Sequence, residues 1–265
     1  MTALTSTTFV FDDMMGDARL RQQYREDLGK SLSLVPPTCI DFEAKFCSRL
    51  RGFDSEEPVV AASKPDILCI NLRRHLATHL RDLRLDFLRV SPALFWPSAF
   101  EQQQPPPSPP SWPHLENFWL IFEQQDSYGL YHADPTLDLD ELTHWTESTT
   151  HSIARPERGL YQLVAAAGRA VRLGNMPRLG CLEMELHANG QDVRFSLGRR
   201  DEKWNGQFMI NWGSAPSVEW TDEVLEAWGL TREDYQVIRP EGDDRDEWDW
   251  LDMRAVVPWH DCVWE

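Results

Sequence analysis

His75 and His79, in the stretch HLATH, have the i, i+4 spacing of a zinc-ligating pair on one face of a helix. The catalytic form of that pair needs glutamate directly after the first histidine, where this chain has Leu76, and no third ligand accompanies them. They read as histidines at a helix-to-strand junction. Paired carboxylates would offer general acid–base chemistry. Glu183 and Glu185 alternate along one segment and so share a strand face, and His132 lies two residues before Asp134 in HADP. Solvation alone places glutamates on an outward strand face, so neither pair is assigned a catalytic role. Nucleophilic chemistry has less support. There is no G-x-S-x-G, and only Cys262 has a histidine close by, His260. Both glycine-rich phosphate cradles, G-x-x-x-x-G-K-[ST] and G-x-G-x-x-G, are absent, and the 14 glycines do not cluster. No catalytic residue, metal ligand or cofactor is assigned.

The elements that would position these side chains repeat along the chain. HLRDLRLDF (79–87), HLENFWLIF (114–122) and RLGCLEMEL (178–186) carry apolar residues at the same offsets, L-x-x-L-x-L-x-F in the first copy. The last three apolar positions of each copy alternate, which is strand periodicity with one buried face. The outward sets are then Arg84 and Asp86, Trp119 and Ile121, and Glu183 and Glu185. The apolar outward pair of the middle copy predicts a strand covered on both faces. The copies start 35 and 64 residues apart, beyond the ~20 to 29 of regular leucine-rich repeats, so helices or loops intervene. A weaker relative is VPPTCIDFEAKF, with Ile40, Phe42 and, out of phase, Phe46.

Between the second and third copies, PERGLYQLVAAAGRAVRLGNMP carries Leu160, Leu163, Val164, Ala167 and Val171 on one stripe, an amphipathic helix running into the third strand. A shorter helix is expected in SKPDILCINLRRHLATH. DVRFSLG and QFMINWG, with Asn205-Gly206 between them, predict an antiparallel hairpin at the end of the sheet. TDEVLEAWG reads as a helix with Thr221 as N-cap and Gly229 as stop, and MRAVVPW as a final edge strand. The proline-rich insertion at 101–113, EQQQPPPSPPSWP, is an extended loop by composition.

The bulk numbers exclude some partners. Forty-three acidic against 26 basic residues give a net charge of −17, a field that repels phosphate backbones and anionic lipid, so neither nucleic acid nor a membrane is expected as partner. The densest basic run, Arg73, Arg74, Arg81, Arg84 and Arg89, is interleaved with Asp82 and Asp86 and reads as a solvated, balanced face. Five scattered cysteines without a C-x-x-C pair point to free thiols in a reducing compartment, and no secretory leader or apolar span is evident. The expected location is cytoplasm or nucleus.

The run LRDLRLDFLRVSPALFWPS, then WPHLENFWLIFEQQDSYGLYHADP, the helix into MPRLGCLEMEL, then VRFSLG, FMINWGS and EVLEAWG resembles the C-terminal region of fungal F-box-like proteins over residues 66 to 230. The resemblance implies a leucine-rich-repeat-like recognition domain whose partner is a protein. It supplies no catalytic residues. The leucine–proline start and three-helix pattern of an F-box are missing from the first 35 residues, so docking to a ligase adaptor is not carried over. The expected fold is α/β: an irregular leucine-rich-repeat-like solenoid closed by a C-terminal β-hairpin and short helix. Residues 1–35 are expected as a helical or flexible segment and 36–265 as the recognition domain, with Arg84, Asp86, Glu183 and Glu185 as strand-face contacts. The alternative is a small-molecule enzyme of fungal secondary metabolism whose pocket carries no familiar motif.

Overall fold

The computed structural model describes residues 4–12, 18–47, 58–102, 112–132, 157–188, 191–199, 208–213, 221–232, 235–238 and 252–257. Five parallel strands come first: β1 (Ser6–Asp12), β2 (Asp41–Cys47), β3 (Asp82–Leu88), β4 (Asn117–Glu123) and β5 (Cys181–Ala188). Each pairs with the next in sequence. Antiparallel strands continue the same sheet: β6 (Gln191–Arg199), β7 (Phe208–Gly213), β8 (Tyr235–Ile238) and β9 (Asp252–Val257), in the order β1-β2-β3-β4-β5-β6-β7-β9-β8. Helices α1 (Ala18–Ser31), α2 (Ile67–Asn71, running on as a π-helical turn over Leu72–Leu76), α3 (Ala99–Gln102), α4 (Arg158–Arg172) and α5 (Asp222–Trp228) complete an α/β fold.

The repeated segments do align in register. Leu83, Phe118 and Leu182 form one inward row, and Leu85, Leu120 and Met184 the next. Both rows join the α4 stripe of Leu160, Leu163, Val164, Ala167 and Val171 in a single core. Burying a side chain of this size is worth about 1.5–3 kcal/mol, so the matched rows are the main driving force for this stacking. The earlier segment belongs to the array as well. In β2 the inward set is Phe42, Ala44 and Phe46, with the small Ala44 at the middle position, which is why the pattern is faint in the sequence.

Four features differ from the sequence reading. The alternation breaks at Phe87, whose φ of 58° lies in the left-handed region, and the β3–β4 register shifts there. Leu88 takes the inward place opposite Phe122 that the motif assigns to Phe87, because the bulge inserts one extra residue. Residues before 36 do supply the expected helix, and β1 also pairs with β2 along seven positions. β9 is flanked by β7 and β8 and is not an edge; β8 is. Finally, Arg73 is not on a solvated face. It is 1% exposed, and its guanidinium donates to both oxygens of Glu101 at 2.7 and 2.6 Å and to the Ala93 carbonyl at 2.8 Å. α5 is capped as expected: Thr221 Oγ1 accepts from the Val224 N–H, and Gly229 takes φ of 71°.

Residues 103–111 of the proline-rich insertion, the Asn205-Gly206 turn, Asp134, His260 and Cys262 lie outside the described residues. No helix among those described is long and apolar enough to cross a membrane.

Candidate functional site

With the apolar rows turned toward the helices, the alternate residues of β1–β5 form rows on the opposite face. Strand register brings residues up to 175 positions apart in the chain into one row, as in Ser6–Asp41–Asp82–Asn117–Cys181, which runs from position 6 to position 181. The second row is Thr8–Glu43–Arg84–Trp119–Glu183, and the third is Val10–Lys45–Asp86–Ile121–Glu185. The four sequence-predicted contacts thus fall in two adjacent rows. Arg84 and Glu183 flank Trp119, and Asp86 and Glu185 flank Ile121.

Their environments differ. Arg84 is half exposed and Asp86 has only 3% of its side chain in solvent, because the Arg84 Nε donates to both Asp86 oxygens at 3.1 and 3.2 Å and lies over them. The Asp86 hydrogen bond, with Glu43 and Glu185 nearby, raises the Arg84 pKa. Glu43 stands 3.7 Å from the Arg84 Nε and accepts from Thr8 Oγ1 at 3.1 Å. In the first row, Asn117 Nδ2 donates to Asp82 at 2.7 Å. Asp41 meets Asp82 across the β2–β3 register; partial burial and a shared hydrogen bond with Asp82 raise its pKa, while Arg81 opposes the rise.

An open groove of about 180 Å3 runs over the first four strands, lined by Thr8, Asp41, Glu43, Asp82, Arg84 and Trp119 among others. Trp119 and Ile121 are half-buried between their row neighbours. The double cover expected for the middle strand is not provided by any described element; the indole is one wall of the groove. Sequence reasoning missed Asp41, Glu43 and Thr8. The D-F-E-A-K alternation of β2 was the available signal for the first two.

A second polar assembly lies beyond the carboxyl ends of β3 and β4. Asp66 caps α2 and is fully buried; it accepts from Arg25 at 3.0 and 2.9 Å, Ser91 Oγ at 2.8 Å and the Cys69 N–H at 3.3 Å. Burial opposes ionisation of Asp66, but Arg25 and the hydrogen bonds outweigh it and lower its pKa. Arg25 also donates to the Arg89 carbonyl at 2.8 Å, so this group ties α1, α2 and the turn after β3 together. Burial pushes the Cys69 thiol well up, which leaves no thiolate for nucleophilic chemistry.

In the loop after β4, Asp126 accepts from the Tyr128 and Leu130 N–H groups at 2.8 Å each, and burial raises its pKa to about 6. His132 is buried edge-on against Phe122, 4.9 Å between ring centroids, with Nδ1–H donated to the Glu123 carbonyl at 2.9 Å. Burial lowers its pKa to about 4. His75 is exposed, and the π-helical turn and the turn after it leave His79 off any shared α-helical face. Cys39, Cys69 and Cys181 are free thiols.

These buried groups hold loops and helix ends in place. The groove, by contrast, presents charge and an aromatic face to solvent. No family model, curated protein or solved structure matches the chain.

Proposed function

We propose that the chain is a protein-recognition module whose partner lies across the outward face of β1–β5, in the manner of the substrate-binding part of an F-box-like ubiquitin-ligase receptor. One observation carries the reading. Charged, hydroxyl and aromatic side chains from five consecutive parallel strands stand in register on the face opposite the core. Consecutive parallel strands joined by right-handed crossovers keep their helices on one side and leave the other side available. That supports an irregular leucine-rich-repeat-like solenoid as the finer description. The groove is open and charged, whereas small-molecule sites are enclosed and largely apolar, which favours recognition over an enzyme pocket.

The test compares the tagged full chain with an Arg84→Glu/Trp119→Ala double variant, both checked for cooperative unfolding, in affinity capture with quantitative mass spectrometry. A reproducible partner should fall by about 30-fold or more in the variant, the loss typical of a removed aromatic anchor. Recovery of a ligase adaptor and cullin would place the module in a ubiquitin ligase. Partners retained equally by both proteins would refute binding through this face.

A further inference from the structure

Resting on that recognition reading, we infer that the outward face selects a basic, arginine-bearing extended segment of its partner, with one guanidinium seated between Asp41 and Asp82 and a second cation over Trp119. The charge of the face is the first argument. Among the residues that line the groove, Asp41, Glu43 and Asp82 are set against Arg84. Arg84 is already committed to Asp86 and Glu43. The groove therefore meets a partner with surplus negative charge, and like-charged or phosphate-bearing segments are repelled.

The arrangement of the carboxylates is the second argument. Asp41 and Asp82 are register partners whose neighbouring positions bring two acids to one point in the groove wall. Partial burial and the adjacent Asp82 raise the Asp41 pKa, and a cation held between the two carboxylates would turn that repulsion into attraction. A metal ion is the wrong guest, since no three metal-ligating side chains converge among the described residues. A guanidinium fits better: its planar fork donates to two oxygens at once and it is weakly hydrated. Asn117 holds one Asp82 oxygen at 2.7 Å and so orients that carboxylate.

The third argument is Trp119. Its half-buried indole lines the groove one row away from the carboxylate pair. Alternate rows along a strand are separated by about 6.8 Å, which is also the spacing of alternate side chains in an extended peptide. An extended segment can therefore place one arginine on the acid pair and a second cation against the indole, held there by cation–π attraction.

The probe is a fluorescein-labelled octapeptide of alternating arginine and glycine, titrated with the full chain by fluorescence anisotropy at near-physiological salt, beside its glutamate–glycine counterpart. The arginine peptide should bind and the glutamate peptide should not. Asp41→Asn/Asp82→Asn, which removes both charges and keeps an oxygen for Asn117, should weaken binding by about tenfold or more in a protein checked for cooperative unfolding. Trp119→Leu should weaken it by about two- to fivefold. Glu26→Gln/Asp27→Asn on α1, the same charge removed elsewhere, should stay within about twofold. Equal losses in the face and α1 variants would overturn the inference, because bulk acidity would then explain the binding. No arginine-peptide binding, with a partner still captured through Arg84 and Trp119, would overturn it while leaving the recognition reading intact. Failure of both experiments would remove both.

Discussion

Replacing Asp126 by asparagine should stabilise the protein progressively as pH rises, relative to the unmodified chain. Asp126 is buried after β4, with two backbone N–H groups on its carboxylate, and burial still raises its pKa from the usual 3.8 to about 6. A folded pKa above the unfolded one means that the favourable contribution is complete below about pH 4 and is lost as pH rises through about 6. Above that, folding must bury a charge that the unfolded chain leaves in water. The gap of about two pH units corresponds to about 3 kcal/mol. Asparagine retains an oxygen for the Tyr128 and Leu130 N–H groups and carries no charge. Its amide N–H group adds a cost of its own, but that cost does not vary with pH.

The observable is therefore the change with pH of the stability difference between the two proteins. Urea unfolding followed by tryptophan fluorescence, at intervals from about pH 4 to pH 8, should show the difference moving by about 3 kcal/mol toward the variant, centred near pH 5 and level above about pH 6. His132 titrates in an overlapping range. Its pKa is lowered from 6.5 to about 4, so its contribution is complete above 6.5 and is lost as pH falls toward 4. Being common to both proteins, it cancels in the difference. A difference that stays flat to within about 0.5 kcal/mol across the range would refute the buried-charge reasoning.

Two further substitutions test the packing. Arg25→Ala should cost about 3–5 kcal/mol at neutral pH, because it leaves the Asp66 carboxylate buried without its cation, and the deficit should shrink in acid as Asp66 becomes protonated; a loss under about 1 kcal/mol in urea unfolding would contradict this. Gly168→Ala in α4 should destabilise by about 1–3 kcal/mol, although alanine normally strengthens a helix, because a Cβ there would sit 2.7 Å from Trp228 Cδ1 and Nε1 and displace the indole from the Val164 carbonyl. A raised melting temperature would show that the α4–α5 contact is looser than described.

The parts of the fold legible in the sequence are those governed by local periodicity. The three strand segments, the α4 stripe and the Thr221 and Gly229 caps of α5 depend on residues within a few positions of one another, and the structure places them as read. The alternation also predicts which residues of β3, β4 and β5 face outward. It fails where an inward position is small, as at Ala44 of β2, and where the backbone leaves the pleat, as at Phe87. β1 and β8 leave weak signals because strands at a sheet edge need fewer apolar residues.

The candidate site shows the same division. The sequence placed Arg84, Asp86, Glu183 and Glu185 outward by period alone. It did not separate Asp86, covered by Arg84, from its exposed neighbours, or reveal that Trp119 lines a groove. Nor did it pair Arg25 with Asp66 or Arg73 with Glu101, which lie 41 and 28 residues apart. Taken alone, then, the sequence determined element type and inward or outward direction, because both arise from backbone geometry repeated over a few residues. Only the tertiary structure decided which charges are paired, buried or open to a partner, because those outcomes depend on which distant segments the core brings side by side.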